Sequence, residues 1–346
     1  MTAPALLLVA PDGPTAIGPD DVLLGLPVAR RTALAASRAG FARVAAAGVG
    51  AGTPLARALE GTGTELLPAG AAPPDGAVVL PWNRVLRTSE VRALAAGQPA
   101  SRLGIAVAAP ADRRRAEQWL LDGLVKDTEG FMSRHFERKV SLAVSRVLSA
   151  TRVTPNQMTL VSVAIGLAGA AFFLFDGAAP QTAGALLFLL HSILDGCDGE
   201  LARLKLQESR FGGVLDFWGD NVVHSAVFSC MAIGWSRASG AAWPLALGAL
   251  AVFGTLASAA FVYAKTMRAP KDGPLFTSVS APSAADSAVA RAADALSRRD
   301  FIYLVLALSL FGKADWFLAL TAAGAPLYFL VLLALDRRRR PERTPA

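Results

Sequence analysis

Cysteine and histidine are scarce in this 346-residue chain, with two and three copies respectively. Cys197 and Cys230 lie in or beside apolar runs without CxxC or Cys/His spacing, which excludes a disulfide framework and a zinc site and leaves them as small buried residues. His135, His191 and His224 have no metal-ligand spacing among themselves. Lysine is absent before Lys126, and long apolar runs are absent from the first 125 residues. The apolar stretch at 6–10 is too short for a cleavable signal peptide and lacks a basic flank, so none is expected.

Hydrophobic residues make up 53% of the chain and charged ones 18%, an apolar excess over ordinary soluble domains. The excess lies after residue 156, in runs at 158–175, 183–194, 214–235, 243–263, 301–311 and 316–335. Six membrane spans are the best count. The second and fifth runs fall short of the roughly 20 residues that cross hydrocarbon, so each must extend into its polar neighbours. The net charge of +7 could suggest nucleic acid. Its basic residues instead flank the apolar runs, as at 337–340, which points to anionic lipid headgroups and orientation. Arg203, Lys205 and Arg210 follow the second run, and Lys265, Arg268, Lys271, Arg291, Arg298 and Arg299 follow the fourth. The alternate links are nearly free of such charge, so both termini and the two basic links are expected on the cytoplasmic side of the cell (inner) membrane.

Ahead of the spans, apolar runs at 5–10, 43–47 and 77–80 alternate with helical patterns at 28–39 and 89–96. That alternation predicts an α/β cytosolic domain with a parallel sheet over 1–125. A linker region is expected around 120–133, and the stretch 126–155 is read as linker plus one helix. Phe136, Val140, Val144 and Val147 recur there at helical spacing opposite Arg138, Lys139 and Arg146. This is the pattern of an amphipathic helix on a membrane surface, although a helix packed between soluble parts has the same look. Thr154-Pro155-Asn156-Gln157 then reads as an N-cap, a Pro at the first helical position and a capping-box Gln. The all-α membrane domain is expected over 156–340.

Four acids stand beside these spans: Asp195 and Asp198 at i and i+3, then Asp216 and Asp220 at i and i+4. Each pair shares one face of its own helix, so two neighbouring helices can aim four carboxylates at one point. Acids at membrane depth cost several kcal/mol each unless paired, hydrated or bound to a cation. Arg203 alone cannot neutralise four. Hard oxygen ligands suit Mg²⁺ or Mn²⁺, and two ions are reasonable for four carboxylates.

The run D-x-x-D-G-x-x-A-R, then G-x-x-x-D-x-x-x-D, spanning Asp195 to Asp220, resembles the signature of the CDP-alcohol phosphotransferase family at every fixed position. Thr154-Pro155-Asn156 resembles the family too, and the likeness covers about residues 125 to 340. It implies a phosphotransferase that moves a substituted phosphate from a CDP-alcohol to an acceptor alcohol and releases CMP. Asp195, Asp198, Asp216 and Asp220 are then expected to hold divalent metal, with Asp220 acting in addition as the base for the acceptor hydroxyl. Asn156, Gly199, Ala202, Arg203, Ser209 and Gly212 are expected to line the CDP site. Glycine at 199 and 212 would let a nucleotide approach the backbone, while packing of membrane helices accounts equally well for Gly212 and Gly213. For an acceptor phosphate the candidates are Arg138, Lys139, Arg210, Arg298 and Arg299, whose bland alternative is topology and headgroup contact.

The stretch Gly25-Leu26-Pro27-Val28, its helix and Phe41-Ala42-Arg43-Val44 resemble the middle of the sugar-nucleotidyltransferase fold. That family's G-x-G-T-R-type loop is here Ala10-Pro11-Asp12-Gly13-Pro14, its phosphate-gripping lysine is missing, and Pro81-Trp82-Asn83 stands where it places a metal-binding aspartate. The head is therefore expected to be catalytically silent, as in relatives of the archaeal di-myo-inositol phosphate enzymes with a degenerate head. The donor is expected to be CDP-diacylglycerol or a similar lipid. The alternative is a di-myo-inositol-phosphate-type synthase using CDP-inositol and inositol phosphate. An ion-coupled transporter is the competing class, and it would require inverted halves with a second acidic motif, which the sequence lacks. The expected partners are the donor, the acceptor, the bilayer and a second copy of the chain in a homodimer, with no nucleic acid.

Overall fold

The computed structural model describes residues 4–50, 52–125, 136–267 and 301–339. The chain falls into two compact units. The first joins Met1–Asp127 with Leu142–Val153 and Glu200–Gln207, and the second joins Thr128–Ser141 with Thr154–Gly199 and Glu208–Ala346.

The first unit is built on a parallel sheet. Strands β1 (Ala5–Val9), β4 (Arg43–Ala47), β5 (Glu65–Leu67) and β6 (Val78–Pro81) lie in the order β5-β4-β1-β6, with Leu7 opposite both Ala45 and Val79. Leu6, Leu7 and Leu8 are all buried, as a central strand covered on both faces requires. Helix α1 (Val28–Arg38) buries Val28, Ala29, Arg31, Thr32, Ala33, Ala35 and Ala36, a broad face at 3.6-residue spacing. Helix α3 (Thr88–Ala95) starts where Glu90 Oε2 accepts from the Arg87 backbone N–H at 3.0 Å. The runs and helical patterns expected for this region therefore match strands and helices within a residue or two.

The structure adds elements that the pattern did not reveal: the edge strand β5, α2 (Pro54–Leu59), α4 (Pro110–Asp122), a 3₁₀ turn at Ala100–Arg102 and two short ribbons. The linker expected from about 120 is corrected at its start, because α4 runs on to Asp122. Its Pro stands in the first turn, Asp112 accepts from the Ala108 and Ala109 backbone N–H groups, and Ala116, Leu120 and Leu121 bury one face. One ribbon pairs β2 (Val22–Leu23) with β3 (Leu26–Pro27) through Leu24 and Gly25, both at positive φ (46° and 83°), the dihedral signs of a two-residue type I′ turn. The other pairs β7 (Arg84–Val85) with β8 (Ile105–Ala106). A leucine at φ 46° costs on the order of 1–2 kcal/mol in backbone strain, and burial of Leu24 in the hydrophobic core offsets it.

The second unit is helical. It holds α6 (Pro155–Phe172), most of α7 (Ala178–Leu204), α8 (Arg210–Ser239), α9 (Trp243–Thr266), α10 (Phe301–Leu310) and α11 (Ala314–Arg339). Thr154 caps α6 as its sequence predicts: its Oγ1 accepts from Gln157 N at 3.3 Å while Gln157 Oε1 accepts from Thr154 N at 2.9 Å. The second apolar run does extend into polar neighbours, since α7 is 27 residues long. Close helix approach rests on small residues. A Cβ on Gly184 would lie 2.8 Å from the Gly169 carbonyl oxygen, so α6 and α7 cross backbone to backbone only where both are glycine. Phe188, Val223, Phe228, Ile302, Phe317 and Leu318 form the buried core. Among the described residues two helices are long and apolar enough to cross a bilayer, Trp243–Thr266 and Ala314–Arg337.

Helix α5 (Arg138–Ser149) precedes α6. It buries Glu137, Ser141, Ser145 and Ser149, spaced by four, and leaves Phe136, Val140 and Val147 exposed. Leu142, Val144 and Leu148 are half-buried, so only part of its apolar side is exposed.

Candidate active site

Helices α6, α7 and α8 each bring one edge to the site. Asp195 and Asp198 project from α7 and are 4% and 6% exposed; Asp216 and Asp220 stand one turn apart on α8. Carboxylate oxygens of Asp195, Asp198 and Asp216 all lie within 4.8 Å of one another. Unscreened by a cation, such charges would repel by about 3 kcal/mol per pair at an effective dielectric of about 20. Thr159 of α6 donates its hydroxyl to Asp198 Oδ2 and thereby orients that carboxylate. Asp216 Oδ1 is buried without a hydrogen-bond partner among the described residues. Three converging carboxylates, one of which also carries a buried oxygen without a hydrogen-bond partner, fit a divalent cation of the Mg²⁺ or Mn²⁺ kind.

Asp220 is not one of this trio. Its Oδ1 faces His191 Nε2 at 3.5 Å, and His191, 2% exposed, has Nδ1 2.9 Å from the Ser162 carbonyl oxygen. A carbonyl only accepts, so Nδ1 carries a proton and Nε2 is the atom turned to Asp220. Sequence reasoning assigned His191 no role. The available signal was its place four residues before Asp195, on the same face of the same helix. Thr159 was missed likewise, although it lies one turn after Pro155 in the capped start of α6.

The residues expected around CDP divide by location. Asn156, Ser209 and Gly212 come together: Ser209 Oγ caps α8 by accepting from Gly212 N at 3.0 Å, and a Cβ on Gly212 would lie 2.9 Å from Asn156 Oδ1. Gly199, Ala202 and Arg203 lie along the last two turns of α7, with Ala202 one turn beyond Asp198. Gly212→Ala should therefore press on the Asn156 amide and, at 3.1 Å, on the capping Ser209 hydroxyl, both side-chain atoms rather than backbone. We expect KM for the CDP-alcohol to rise about 10-fold with little change in thermal stability. Steady-state kinetics beside a melting curve checks this.

Of the acceptor candidates, Arg138 crosses α7 at Gly196, where its Nη1 is 3.4 Å from the Cβ position, directly beside Asp195. Arg210 donates to the Met267 carbonyl at 2.7 Å and so holds the end of α9. Lys139 is exposed on α5. Arg298 and Arg299 lie outside the described residues.

Comparison with known proteins shows the family. The chain belongs to the CDP-alcohol phosphatidyltransferase family, whose model matches residues 152–335. The bifunctional IPC transferase and DIPP synthase of Thermococcus kodakarensis is 41% identical over 124 residues, 36% of this chain and 28% of that protein. The protein of the same description from Archaeoglobus fulgidus is 40% identical over 125 residues, 35% of this chain and 24% of its own length. The phosphatidylinositol phosphate synthase of Mycobacterium tuberculosis is 30% identical over 105 residues, 30% of this chain and 47% of that one. The match thus spans about a quarter to a half of these relatives' lengths. A crystal structure of the last, with CDP-DAG bound, aligns at a TM-score of 0.38 and 18% identity, covering 56% of this chain and 92% of that one.

Proposed function

We propose that the chain is an integral membrane transferase that moves a substituted phosphate group from a CDP-alcohol to an acceptor alcohol with release of CMP. The observation that carries this reading is the convergence of the Asp195, Asp198 and Asp216 carboxylates, within 4.8 Å, in a chain of this family. These three would hold Mg²⁺ or Mn²⁺, with Asp220 one turn further along α8 as the base, and we take two ions as the complement. Divalent cations there offset pyrophosphate charge and make CMP a better leaving group.

The chain's own residues do the rest. Asn156, Gly199, Ala202, Arg203, Ser209 and Gly212 bind and orient the cytidine diphosphate. Asp220 takes the proton of the acceptor hydroxyl, whose oxygen attacks the phosphorus carrying the donor alcohol; the bond from that phosphorus to CMP breaks, and CMP leaves with its electron pair. His191 Nε2 stands 3.5 Å from the Asp220 carboxylate. Arg138, beside Asp195, is the favoured group for an acceptor phosphate, with Lys139, Arg210, Arg298 and Arg299 as further candidates.

CDP-diacylglycerol or a similar lipid is the proposed donor. The second reading, CDP-inositol with inositol phosphate as acceptor, is favoured by the similarity to the two bifunctional synthases. The α/β head is taken as silent: Asn83 is buried and its side-chain amide donates to the Val107 carbonyl at 3.3 Å, a structural tie.

The proposed topology has six membrane helices with both termini and the site on the cytoplasmic side. Support comes from two helices among the described residues that are long and apolar enough to cross a bilayer, from the basic residues that follow the second and fourth apolar runs of the sequence, and from the exposed Phe136, Val140 and Val147 at α5, suited to the membrane surface. A homodimer is the proposed assembly.

Purified protein, incubated with CDP-diacylglycerol or CDP-inositol, Mg²⁺ or Mn²⁺ and a panel of alcohols, should release CMP only when donor, metal and acceptor are all present. No CMP from either donor with any acceptor would overturn the reading.

A further inference from the structure

The head has a buried arginine with an unusual set of partners. Arg31 of α1 is 3% exposed, and among the described residues it has no carboxylate partner. Its guanidinium donates to three carbonyls: Nη2 to Leu23 at 2.7 Å and Leu24 at 3.0 Å, in the β2–β3 ribbon, and Nη1 to Leu204 at 2.8 Å. Leu204 is the last residue of α7, the helix that carries Asp195 and Asp198. Burial brings the guanidinium down to about 10, so it remains cationic at neutral pH and faces the negative end of the α7 dipole.

The end of α7 is itself specialised. Gln207 N donates to Ala202 O at 2.8 Å and Leu206 N to Arg203 O at 3.4 Å, the paired bonds of a Schellman motif. Its left-handed position, usually glycine, is Leu206 at φ 51°, and among the described residues the other non-glycine at positive φ is Leu24, an Arg31 partner. Leu204 and Leu206 are both buried in the hydrophobic core of the head. Two strained leucines therefore flank the Arg31 contacts, and the burial of each in one core is what retains them. Lys205 adds bonds from Nζ to the Thr151 and Val153 carbonyls at 2.8 and 2.7 Å. Gly25, in the same ribbon turn, packs against the Ser149 carbonyl too closely for any Cβ.

We propose that the head serves the transferase reaction as a clamp on the end of the signature helix, with Arg31 as the positioning residue that sets the Ala202–Arg203 turn for the donor nucleotide. The proposal rests on the reading of Ala202 and Arg203 as CDP contacts. It gives the head a task without nucleotide chemistry of its own, and it explains why its core is completed by residues that directly follow the first block of the signature, which ends at Arg203.

The test uses the full-length protein in lipid nanodiscs as wild type, Arg31→Met, which keeps most of the apolar stem, and Arg31→Lys. Three quantities are read: amide hydrogen exchange over 200–207, kinetics of CMP release from CDP-diacylglycerol, and Mn²⁺ affinity by electron paramagnetic resonance. In Arg31→Met, exchange at Leu206 and Gln207 should accelerate about 10-fold and KM for the donor should rise about 10-fold, with kcat and Mn²⁺ affinity within about 2-fold of wild type. Arg31→Lys, which keeps the charge and some donors, should recover at least half of each loss on a logarithmic scale. Wild-type exchange and KM in Arg31→Met would overturn the clamp, as would loss of Mn²⁺ affinity in parallel with KM. If Arg31→Met does not fold, Arg31→Lys decides: exchange and KM both as in wild type overturn the proposal, and a partial rise in both upholds it. If wild type itself releases no CMP, the transferase reading fails and the positioning role falls with it, whereas CMP release by wild type with unchanged exchange and KM in Arg31→Met overturns the clamp alone.

Discussion

Asp216→Asn is expected to slow CMP release by at least about 1000-fold while making the metal-free protein more stable to heat. Both effects follow from the same geometry. The Asp216 carboxylate closes a trio whose oxygens lie within 4.8 Å, and its Oδ1 is buried without a hydrogen-bond partner among the described residues. An amide offers one neutral oxygen and two N–H donors, so it loses the charge that attracts a cation and presents hydrogen to the space where the ion belongs. Without metal the same change removes like-charge repulsion at a buried site, which favours the folded state. Wild-type protein should gain thermal stability on adding Mn²⁺ and lose it with a chelator; Asp216→Asn should do neither. Turnover within 10-fold of wild type in this variant would show that the trio is not the metal site.

Asp220→Ala should also abolish measurable CMP release, a fall of about 100- to 10,000-fold, but for a different reason. Asp220 stands outside the trio and faces His191, so its loss removes the proposed proton acceptor and leaves the three metal-facing carboxylates in place. Mn²⁺ affinity should change by less than about 3-fold and Mn²⁺-induced thermal stabilisation should persist. The two variants therefore separate metal binding from proton transfer although they lie one turn apart on α8. CMP release at the wild-type rate in Asp220→Ala would remove Asp220 as the base; loss of Mn²⁺ binding with activity would place it among the metal ligands first.

Much of the fold was legible because it is local. Consecutive buried leucines in β1, the 3.6-residue stripe of α1 and the Thr154 capping box all arise from dihedral geometry and side-chain spacing within a few residues, and each took the form its sequence predicts. Helix α4 escaped because its two halves differ. Its first turns are Arg-rich and its apolar residues bunch at the end, so no stripe stands out although Pro110 and Asp112 mark its start.

The candidate site divides in the same way. The i, i+3 and i, i+4 aspartate pairs and the family signature are properties of the sequence itself, and they identified the chemistry before any packing was known. Which other groups join them depends on how helix faces meet. Thr159 and Asp198 are 39 residues apart, His191 and Asp220 are 29, and Arg31 and the Leu204 carbonyl are 173. No periodicity connects such positions, because side-chain spacing along one element says nothing about the rotation of another against it. By itself, then, the sequence determined a parallel α/β head, a series of apolar helices and four carboxylates placed to gather cations. Only the tertiary structure decided that three of those carboxylates form the trio, that the fourth faces a histidine, and that the signature helix ends inside the core of the head, since each depends on long-range packing.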